Sequence, residues 1–182
     1  MSIYFVTSNK NKLQEASLIL GRNIKGLDLD VKEIQSIDVK DIIEDKAAVA
    51  YKKVNEPVIV EDTGLYVKSM SGFPGALVKW VLKSVGNDGM CKMIDGYADR
   101  SAYAETSVCY YDGRDFRIFN GRIDGVIAEK PRGSTGFGWD PIFQPIGYSL
   151  TFAEMSSDEK NKISMRKLAF TSLREYLDSV GK

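Results

Sequence analysis

The sequence predicts one α/β domain, a mixed β-sheet flanked by helices, with two lobes and a substrate cleft between them. An apolar run at residues 3–8 precedes a segment with helical spacing, and strand and helix patterns continue to alternate to about residue 94. Residues 101–129 instead alternate around an Asp112-Gly113 turn, which is typical of antiparallel strands. The length of 182 residues suits a single domain over residues 1–182.

Apolar spacing and turn residues place the individual elements. Short β-branched or apolar runs predict strands, and apolar residues at helical spacing predict helices, the first of which ends at Gly21. The predicted strands of the first half span residues 3–8, 29–35 and 57–62, and the predicted helices lie between residues 10–20, 38–54, 76–85, 88–94 and 164–180. A strand-helix first half followed by antiparallel strands favours the mixed sheet.

The composition excludes several classes of function. Histidine is absent, so chemistry must depend on carboxylates, lysines, arginines, hydroxyls or a bound metal. Acidic and basic residues balance at 25 each, which argues against nucleic acid and membrane partners. No apolar run approaches membrane length, and the N-terminus lacks a signal-peptide pattern. Cys91 and Cys109 lack zinc spacing, so we expect reduced core thiols in a cytoplasmic protein.

The segment "TSNKNK" at residues 7–12 lies where the first predicted strand meets the first predicted helix. Backbone N–H groups at a helix start favour anions, and hydroxyls, amides and lysines accompany them here. The glycines of a P-loop are missing. The segment therefore predicts either a phosphate site or an ordinary N-cap with solvated lysines.

Two acidic residues, Glu61 and Asp62, end the predicted strand in "VEDTG". Strand alternation directs their side chains to opposite faces, so only one of them needs to face a cleft. Ligands of α/β proteins collect at such strand ends. The acid in the cleft could bind a hard cation or act as a general base for water, and the alternative is a plain Asp-Thr-Gly turn.

Glycines, aromatics and prolines combine in "STGFGWDPIFQP" at residues 134–145. The segment has turn chemistry but is too apolar for an ordinary solvated loop. A flat aromatic ligand would explain both properties, with Asp140 as the single carboxylate. Charge is dense at residues 158–167, and Arg166 lies in the first turn of the last predicted helix, where the macrodipole disfavours a cation. We therefore expect an anionic or aromatic partner for Arg166.

Five motifs together resemble the inosine triphosphate pyrophosphatase family. They are, in chain order, "TSNKNKLQE", "VIVEDTGL", "GFPGA", "GFGWDPIF" and "AEMSSDEKNKISMR". Each motif is weak alone, but all five in this order and at these separations are specific. The resemblance covers essentially the whole chain.

The resemblance implies an elongated α/β fold with a long mixed sheet and a central cleft, in a homodimer that requires Mg²⁺. It also implies an enzyme that removes ITP, dITP and XTP from the nucleotide pool. Such an enzyme cleaves between the α and β phosphates and gives the monophosphate and pyrophosphate.

The resemblance also assigns residues. Asp62 matches the metal ligand and proton acceptor, and Glu33 matches the other metal-binding acid. The implied substrate contacts are Thr7, Ser8, Asn9, Lys10, Asn11, Lys12, Lys46, Thr63, Lys79, Phe137, Gly138, Trp139, Asp140, Lys160, Met165 and Arg166. The glycines of the 134–145 segment let backbone approach a base, and an aromatic ring supplies a stacking face.

One residue departs from the family pattern. The family has Ser-His-Arg where this chain has Ser164-Met165-Arg166, and the histidine helps to recognise the six-position oxygen of the base. Methionine offers only a soft apolar contact. Two alternatives remain open: a related pyrophosphatase for modified pyrimidine or methylated nucleotides, and a sensor that binds nucleotides without turnover. A nucleic-acid-binding module is disfavoured by the neutral charge.

Overall fold

The computed structural model describes residues 3–22, 24–32 and 34–181. Within these residues seven strands form one sheet, and five α-helices flank it. The strands are β1 (Tyr4–Val6), β2 (Lys25–Leu27), β3 (Val58–Val67), β4 (Pro74–Gly75), β5 (Ser101–Tyr111), β6 (Phe116–Ile127) and β7 (Phe143–Pro145). The helices are α1 (Lys10–Leu20), α2 (Val39–Val54), α3 (Val78–Met93), α4 (Ser157–Ile163) and α5 (Met165–Ser179).

The sheet is mixed, as the sequence predicts. Its order is β2-β1-β3-β5-β6-β7, and β4 pairs with β3 beside this path. β1 runs parallel to β2 and β3, whereas β3, β5, β6 and β7 pair antiparallel. The parallel pairing comes from the first half of the chain and most of the antiparallel pairing from the second.

Local signals explain the elements that the sequence places correctly. Asp38 caps α2 through its side chain, and α1 ends at Gly21 with φ +63°. The Asp112-Gly113 turn connects β5 to β6, whose ladder begins at the Tyr111–Phe116 pair. Ser164 caps α5 by accepting a hydrogen bond from the backbone of Lys167. These devices are short-range, which is why the sequence alone reveals them.

The strand predicted at residues 29–35 is wrong. The second strand is β2, at Lys25–Leu27, and the described residues after it are irregular up to α2. Leu29 and Val31 pack from this irregular segment against the core beneath α2. Their alternation therefore reflects side-chain packing rather than a hydrogen-bonded ladder.

The third predicted strand ends too early. β3 continues five residues past Asp62 because its whole length pairs with β5, from Val58–Tyr111 to Val67–Ala102. β1, in contrast, pairs with β3 only as far as Ile59. The acidic pair therefore lies in the middle of β3, just beyond the end of its parallel neighbour, and not at the carboxyl end of the strand.

Three clusters of buried apolar side chains form the core. One cluster lies under α1 and α5, and a second lies under α2 on the opposite face of the sheet. The third joins α3 to the far ends of β3 and β5 and to residues 139–155. A polar band crosses the sheet between them: Thr63 lies 2.9 Å from Thr106 through their hydroxyl oxygens, and Ser107 donates a hydrogen bond to Asn120.

Helix α3 is broken at Gly86, whose backbone lies at φ +68° and ψ −176°. The two helices predicted at residues 76–85 and 88–94 correspond to its two halves. Cys91 and Cys109 are free thiols in the core, as expected, and burial raises the pKa of Cys109 to about 12. Among the described residues, no helix combines the length and apolar character needed to cross a membrane.

Candidate active site

The strand-to-helix connection after β1 forms a capped turn. The Asn9 side chain accepts hydrogen bonds from the backbone N–H groups of Asn11 and Lys12, at 3.0 and 3.2 Å. The hydroxyl of Thr7 accepts one from the backbone of Asn9. The N-cap expected as an alternative is therefore present, and it holds residues 7–12 in one conformation at the mouth of a cavity.

The neighbours Glu61 and Asp62 occupy opposite faces of β3, as strand alternation predicts. Glu61 is buried on the side of α1 and α5, where both of its carboxylate oxygens are engaged. Asp62 is partly buried and lines two cavities. Glu61 reaches only one of these cavities, and its oxygens are bound by Thr63 and Arg166, so Asp62 is the acid of the pair that can meet a ligand and water.

Arg166 is buried and held by two carboxylates. Its Nε and Nη2 donate to Glu61 at 2.8 and 2.9 Å, and its Nη1 donates to Glu15 at 2.5 Å. Its guanidinium also lies 5.6 Å from the centroid of the Phe137 ring. The anionic and aromatic partners expected for this cation are therefore both found, and they come from the protein itself.

The same network extends to Lys12 and Lys160. Lys12 Nζ lies 3.1 Å from Glu61, and the Lys160 ammonium lies 2.6 Å from Asp140 and 3.6 Å from Glu15. Although burial opposes ionisation of Glu61, the charges of Arg166 and Lys12 outweigh it and hold the pKa of this carboxyl well below its usual range. The network thereby keeps Glu61 ionised.

The segment at residues 134–140 folds around Asp140. Its carboxylate accepts hydrogen bonds from the backbone of Phe137 at 2.7 Å and from Lys160, while burial raises the pKa of this carboxyl against the pull of those groups. Trp139 is buried and packs against Phe143 and Phe152. Phe137 is more exposed, so it is the aromatic residue of this segment that can stack on a ligand.

Backbone contact sets the position of Met165 and Arg166. A Cβ atom at Gly121 on β6 would lie 2.0 Å from the Met165 carbonyl oxygen, so only glycine lets the start of α5 approach this closely. Met165 is buried in the core cluster and also lines a cavity. The start of α5 therefore lies directly against the sheet, beside Glu61.

Two cavities meet at this place. We call the first the aromatic cavity; it measures about 530 Å³ and is lined by Asn9, Lys12, Ile34, Gln35, Ile42, Asp62, Thr63, Ala76, Leu77, Val78, Lys79, Trp80, Leu82, Lys83, Phe137, Gly138, Trp139, Asp140, Lys160, Met165 and Arg166. The second, the lysine-rich cavity, also measures about 530 Å³ and is lined by Val6, Thr7, Ser8, Asn9, Lys10, Lys12, Leu29, Val31, Lys46, Glu61, Asp62 and Lys79. Asn9, Lys12, Asp62 and Lys79 line both.

Most of the predicted contact residues lie together at these cavities. Lys46 lines the lysine-rich cavity and donates to the backbone carbonyl of Glu61 at 3.1 Å. Asn11 lines neither cavity, and its backbone N–H is bound to Asn9. Glu33, the other predicted metal ligand, lies outside the described residues.

Sequence reasoning missed several residues of the site. Glu15 was overlooked, although it follows Lys12 by three positions and so shares a helical face with it. Trp80 and Lys83 were also missed; both line the aromatic cavity, and Trp80 is 50% exposed. The signal for Lys83 was its spacing of four from Lys79, which places both lysines on one face of α3.

The donor groups at the junction of the cavities are compatible with Mg²⁺. Magnesium is commonly held by one or two carboxylates together with substrate phosphates. Asp62 supplies one carboxylate beside the lysines that would hold such phosphates. Within the described ranges, no three acidic or cysteine side chains cluster as a ready-made metal cage.

This chain matches a known protein family, and named proteins resemble it along nearly its whole length. Residues 3–176 match the Ham1 family. A Schizosaccharomyces pombe protein named inosine triphosphate pyrophosphatase is 44% identical over 182 residues, covering 98% of this chain and 96% of the relative. A Thermococcus kodakarensis protein named dITP/XTP pyrophosphatase is 40% identical, covering 97% of both chains.

Solved structures of Ham1 proteins have the same fold as this chain. The structure of a HAM1 protein from Coxiella burnetii matches with a TM-score of 0.85 and 28% identity, covering 98% of this chain and 99% of that one. The Staphylococcus aureus Ham1 protein matches with a TM-score of 0.80 and 25% identity, covering 99% and 100%. Both the family match and the relatives above 30% identity extend over nearly the whole chain, and this chain therefore belongs to the Ham1 family.

Proposed function

We propose that this chain is a pyrophosphatase that hydrolyses ITP, dITP and XTP to the monophosphate and pyrophosphate, and so removes non-canonical purines from the nucleotide pool. One observation carries the proposal: Asp62 lines both the aromatic cavity and the lysine-rich cavity. A nucleoside triphosphate has an aromatic end and an anionic end. If the base occupies the aromatic cavity and the phosphates occupy the lysine-rich cavity, the Asp62 carboxylate at their junction lies next to the phosphate bonds that are cleaved.

The lysine-rich cavity suits the triphosphate. Lys10, Lys12, Lys46 and Lys79 line it together with Thr7, Ser8 and Asn9. The lysines offset phosphate charge, and the hydroxyls and the amide donate hydrogen bonds to phosphate oxygens. The start of α1 adds the favourable end of a helix dipole.

The aromatic cavity suits a purine. Phe137 offers a ring face, and apolar side chains from α3 form part of the wall. Arg166 uses three of its five N–H groups on Glu61 and Glu15, so two remain that can donate to the base. Among the described residues, the backbone N–H groups of Gly138 and Trp139 donate to no backbone carbonyl and can also bind the base.

Selectivity then follows from hydrogen-bond polarity. An N–H group accepts no hydrogen bond, so it pairs with the six-position oxygen of hypoxanthine or xanthine but not with the amino group of adenine. A site built on such donors can reject the wrong partner strongly.

The chemical step depends on Asp62. We assign Asp62 as the base that takes a proton from the attacking water. Thr63, the next residue, lines the aromatic cavity and contacts the substrate there. The lysines hold the phosphates in line for attack and stabilise the pyrophosphate that leaves. Asp62 and Glu33 would hold Mg²⁺, which when bound offsets phosphate charge and polarises the phosphoryl group.

The assembly and location also belong to the proposal. We propose a homodimer with two-lobed protomers, acting in the cytoplasm, without nucleic acid or membrane partners. The balanced charge supports the absence of nucleic acid and membrane partners, and the two free core thiols support the cytoplasmic location; the homodimer and the two lobes rest on the family resemblance. Sedimentation at micromolar concentration tests the dimer.

A substrate panel tests the function. With Mg²⁺, we expect pyrophosphate and monophosphate from ITP, dITP and XTP, and little from ATP; GTP and UTP are assayed in the same panel. The same panel includes methylated and modified pyrimidine triphosphates. A preference for those would favour the related pyrophosphatase, while tight ITP binding without pyrophosphate release would favour a nucleotide sensor.

A further inference from the structure

A single side chain connects α3 to the loop of the aromatic cavity. The break at Gly86 makes Asn87 the first residue of the second half of α3. Asn87 Nδ2 donates a hydrogen bond to the backbone carbonyl of Gly138 at 3.0 Å. Asn87 Oδ1 is buried and has no hydrogen-bond partner, so the amide is used as a donor.

The Gly138 carbonyl lies in the least supported part of its loop. The Thr135 backbone N–H donates to the carbonyl of Ala153, and its hydroxyl lies within hydrogen-bond distance of the carbonyls of Ala153 and Met155, which share its one hydrogen. Phe137 and Asp140 bind each other through the Asp140 carboxylate and through their backbones. Between these anchors Gly138 has φ +65°, and no atom lies within 4 Å of the place where a Cβ would be.

The orientation of the Gly138–Trp139 peptide decides the direction in which the Trp139 N–H points. In a trans peptide, the carbonyl of Gly138 and the N–H of Trp139 point in opposite directions. The bond from Asn87 draws the carbonyl toward α3, and the Trp139 N–H consequently points away from Asn87. A glycine with open surroundings can rotate its peptide easily when that bond is missing.

We propose that Asn87 is a positioning residue for base recognition, which holds the Gly138–Trp139 peptide so that its N–H can bind the base. This inference rests on the proposed function, because it assumes that the aromatic cavity holds the base. Asn87 itself does not line that cavity. It acts through Gly138.

The substitution Asn87→Leu tests the inference. Leucine is similar in size, removes the donor, and also removes the buried Oδ1 that lacks a partner, so the melting temperature should not fall. We expect the KM for ITP to rise by about three- to tenfold, the range of one lost hydrogen bond, with kcat within about twofold. Ser84→Ala, which removes a hydrogen bond within α3 away from the loop, is the control and should leave KM unchanged.

Inorganic tripolyphosphate separates positioning from general damage. It has no base, so its inhibition constant should be unchanged in the Asn87→Leu chain. An unchanged KM for ITP, or an equal loss of tripolyphosphate and ITP binding, would overturn the inference. A native chain that releases no pyrophosphate from ITP would instead overturn the proposed function, and with it any role of Asn87 in base recognition.

A fluorescence measurement examines the connection without substrate. The chain has two tryptophans, Trp80 and Trp139, so Trp80→Phe leaves Trp139 as the only tryptophan, whose emission can be excited selectively over that of tyrosine. Trp139 is buried in the native chain. In that background, Asn87→Leu should increase quenching of Trp139 by acrylamide, and unchanged quenching would show that Asn87 does not restrain the loop.

Discussion

Glu61 and Asp62 are neighbours on β3, so their side chains lie on opposite faces of the sheet and have different roles. Glu61 faces α1 and α5 and is bound by Arg166, Lys12 and Thr63. Asp62 faces the cavities. The sequence could predict that the two diverge, because strand alternation is local. Strand alternation alone could not predict which of them meets the ligand, because that depends on α1 and on α5, the latter more than a hundred residues away; only the family resemblance singled out Asp62.

Asp62→Asn should abolish most of the turnover. The amide cannot accept the proton from water, and losing a general base typically lowers the rate by about two to four orders of magnitude. The side chain keeps its size, so the fold and nucleotide binding should persist. The check is kcat for ITP at saturating Mg²⁺, with the melting temperature as the control. Near-native turnover in this variant would remove Asp62 from the catalytic role.

Lys12→Ala should weaken binding of every nucleotide to a similar extent. Lys12 lines both cavities next to the capped turn, where we place the phosphates. The KM values for ITP and XTP and the inhibition constant for tripolyphosphate should all rise by the same factor. Lys52→Ala, which removes an equal charge from exposed helix surface, serves as the matched control. A loss that depended on the base would move Lys12 out of the phosphate site.

Met165→His should change base preference only modestly. One neutral hydrogen bond contributes roughly 0.5–1.5 kcal/mol, and about 1.4 kcal/mol corresponds to tenfold. We expect the ratio of kcat/KM for ITP to that for ATP to shift by at most about tenfold. Met165→Leu, which adds no donor, should leave the ratio unchanged. A hundredfold gain with histidine would mean that the loop N–H groups do not carry recognition.

At the scale of elements, sequence reasoning succeeded where the signal was local. The helical faces of α2 and α5 and the Asp112-Gly113 turn are all encoded within a few residues. It failed at residues 29–35, where apolar alternation comes from packing, and at β3, whose length is set by pairing with β5. It also missed α4, whose sequence is almost entirely polar and charged.

The contact between α5 and β3 should make stability depend on pH through Glu61. Its pKa is held well below that of an unfolded glutamate, about 4.3, so its stabilising effect is complete above that value. As the pH falls below about 4.3, the unfolded chain takes up a proton that the folded chain does not, and this stabilisation is progressively lost.

Glu61→Gln isolates that effect. The variant should be less stable than the native chain at pH 7, because Arg166 loses its main charged partner. The difference in the free energy of unfolding should become smaller between pH 5 and pH 3, since only the native chain loses the contribution of Glu61. Urea titrations across this range provide the measurement. A difference that stayed constant with pH would contradict the proposed ionisation of Glu61.

At the scale of the whole molecule, the cores lie on either side of a polar band across the sheet, and the two cavities open beside it. The sequence could predict the mixed α/β fold and most of the site, because the motifs occur in a specific order. It could not predict the network of Glu15, Glu61 and Arg166 or the bond from Asn87 to Gly138, because both depend on long-range contacts.

The most direct test of the account is kcat/KM for pyrophosphate release from ITP and from ATP by the native chain with Mg²⁺. We assign the aromatic cavity to a base with a six-position oxygen, and Asp62 lies where the triphosphate would meet it. We therefore expect a clear preference for ITP, with IMP and pyrophosphate as the products. Equal hydrolysis of ITP and ATP, or release of single phosphate with IDP as the product, would contradict it.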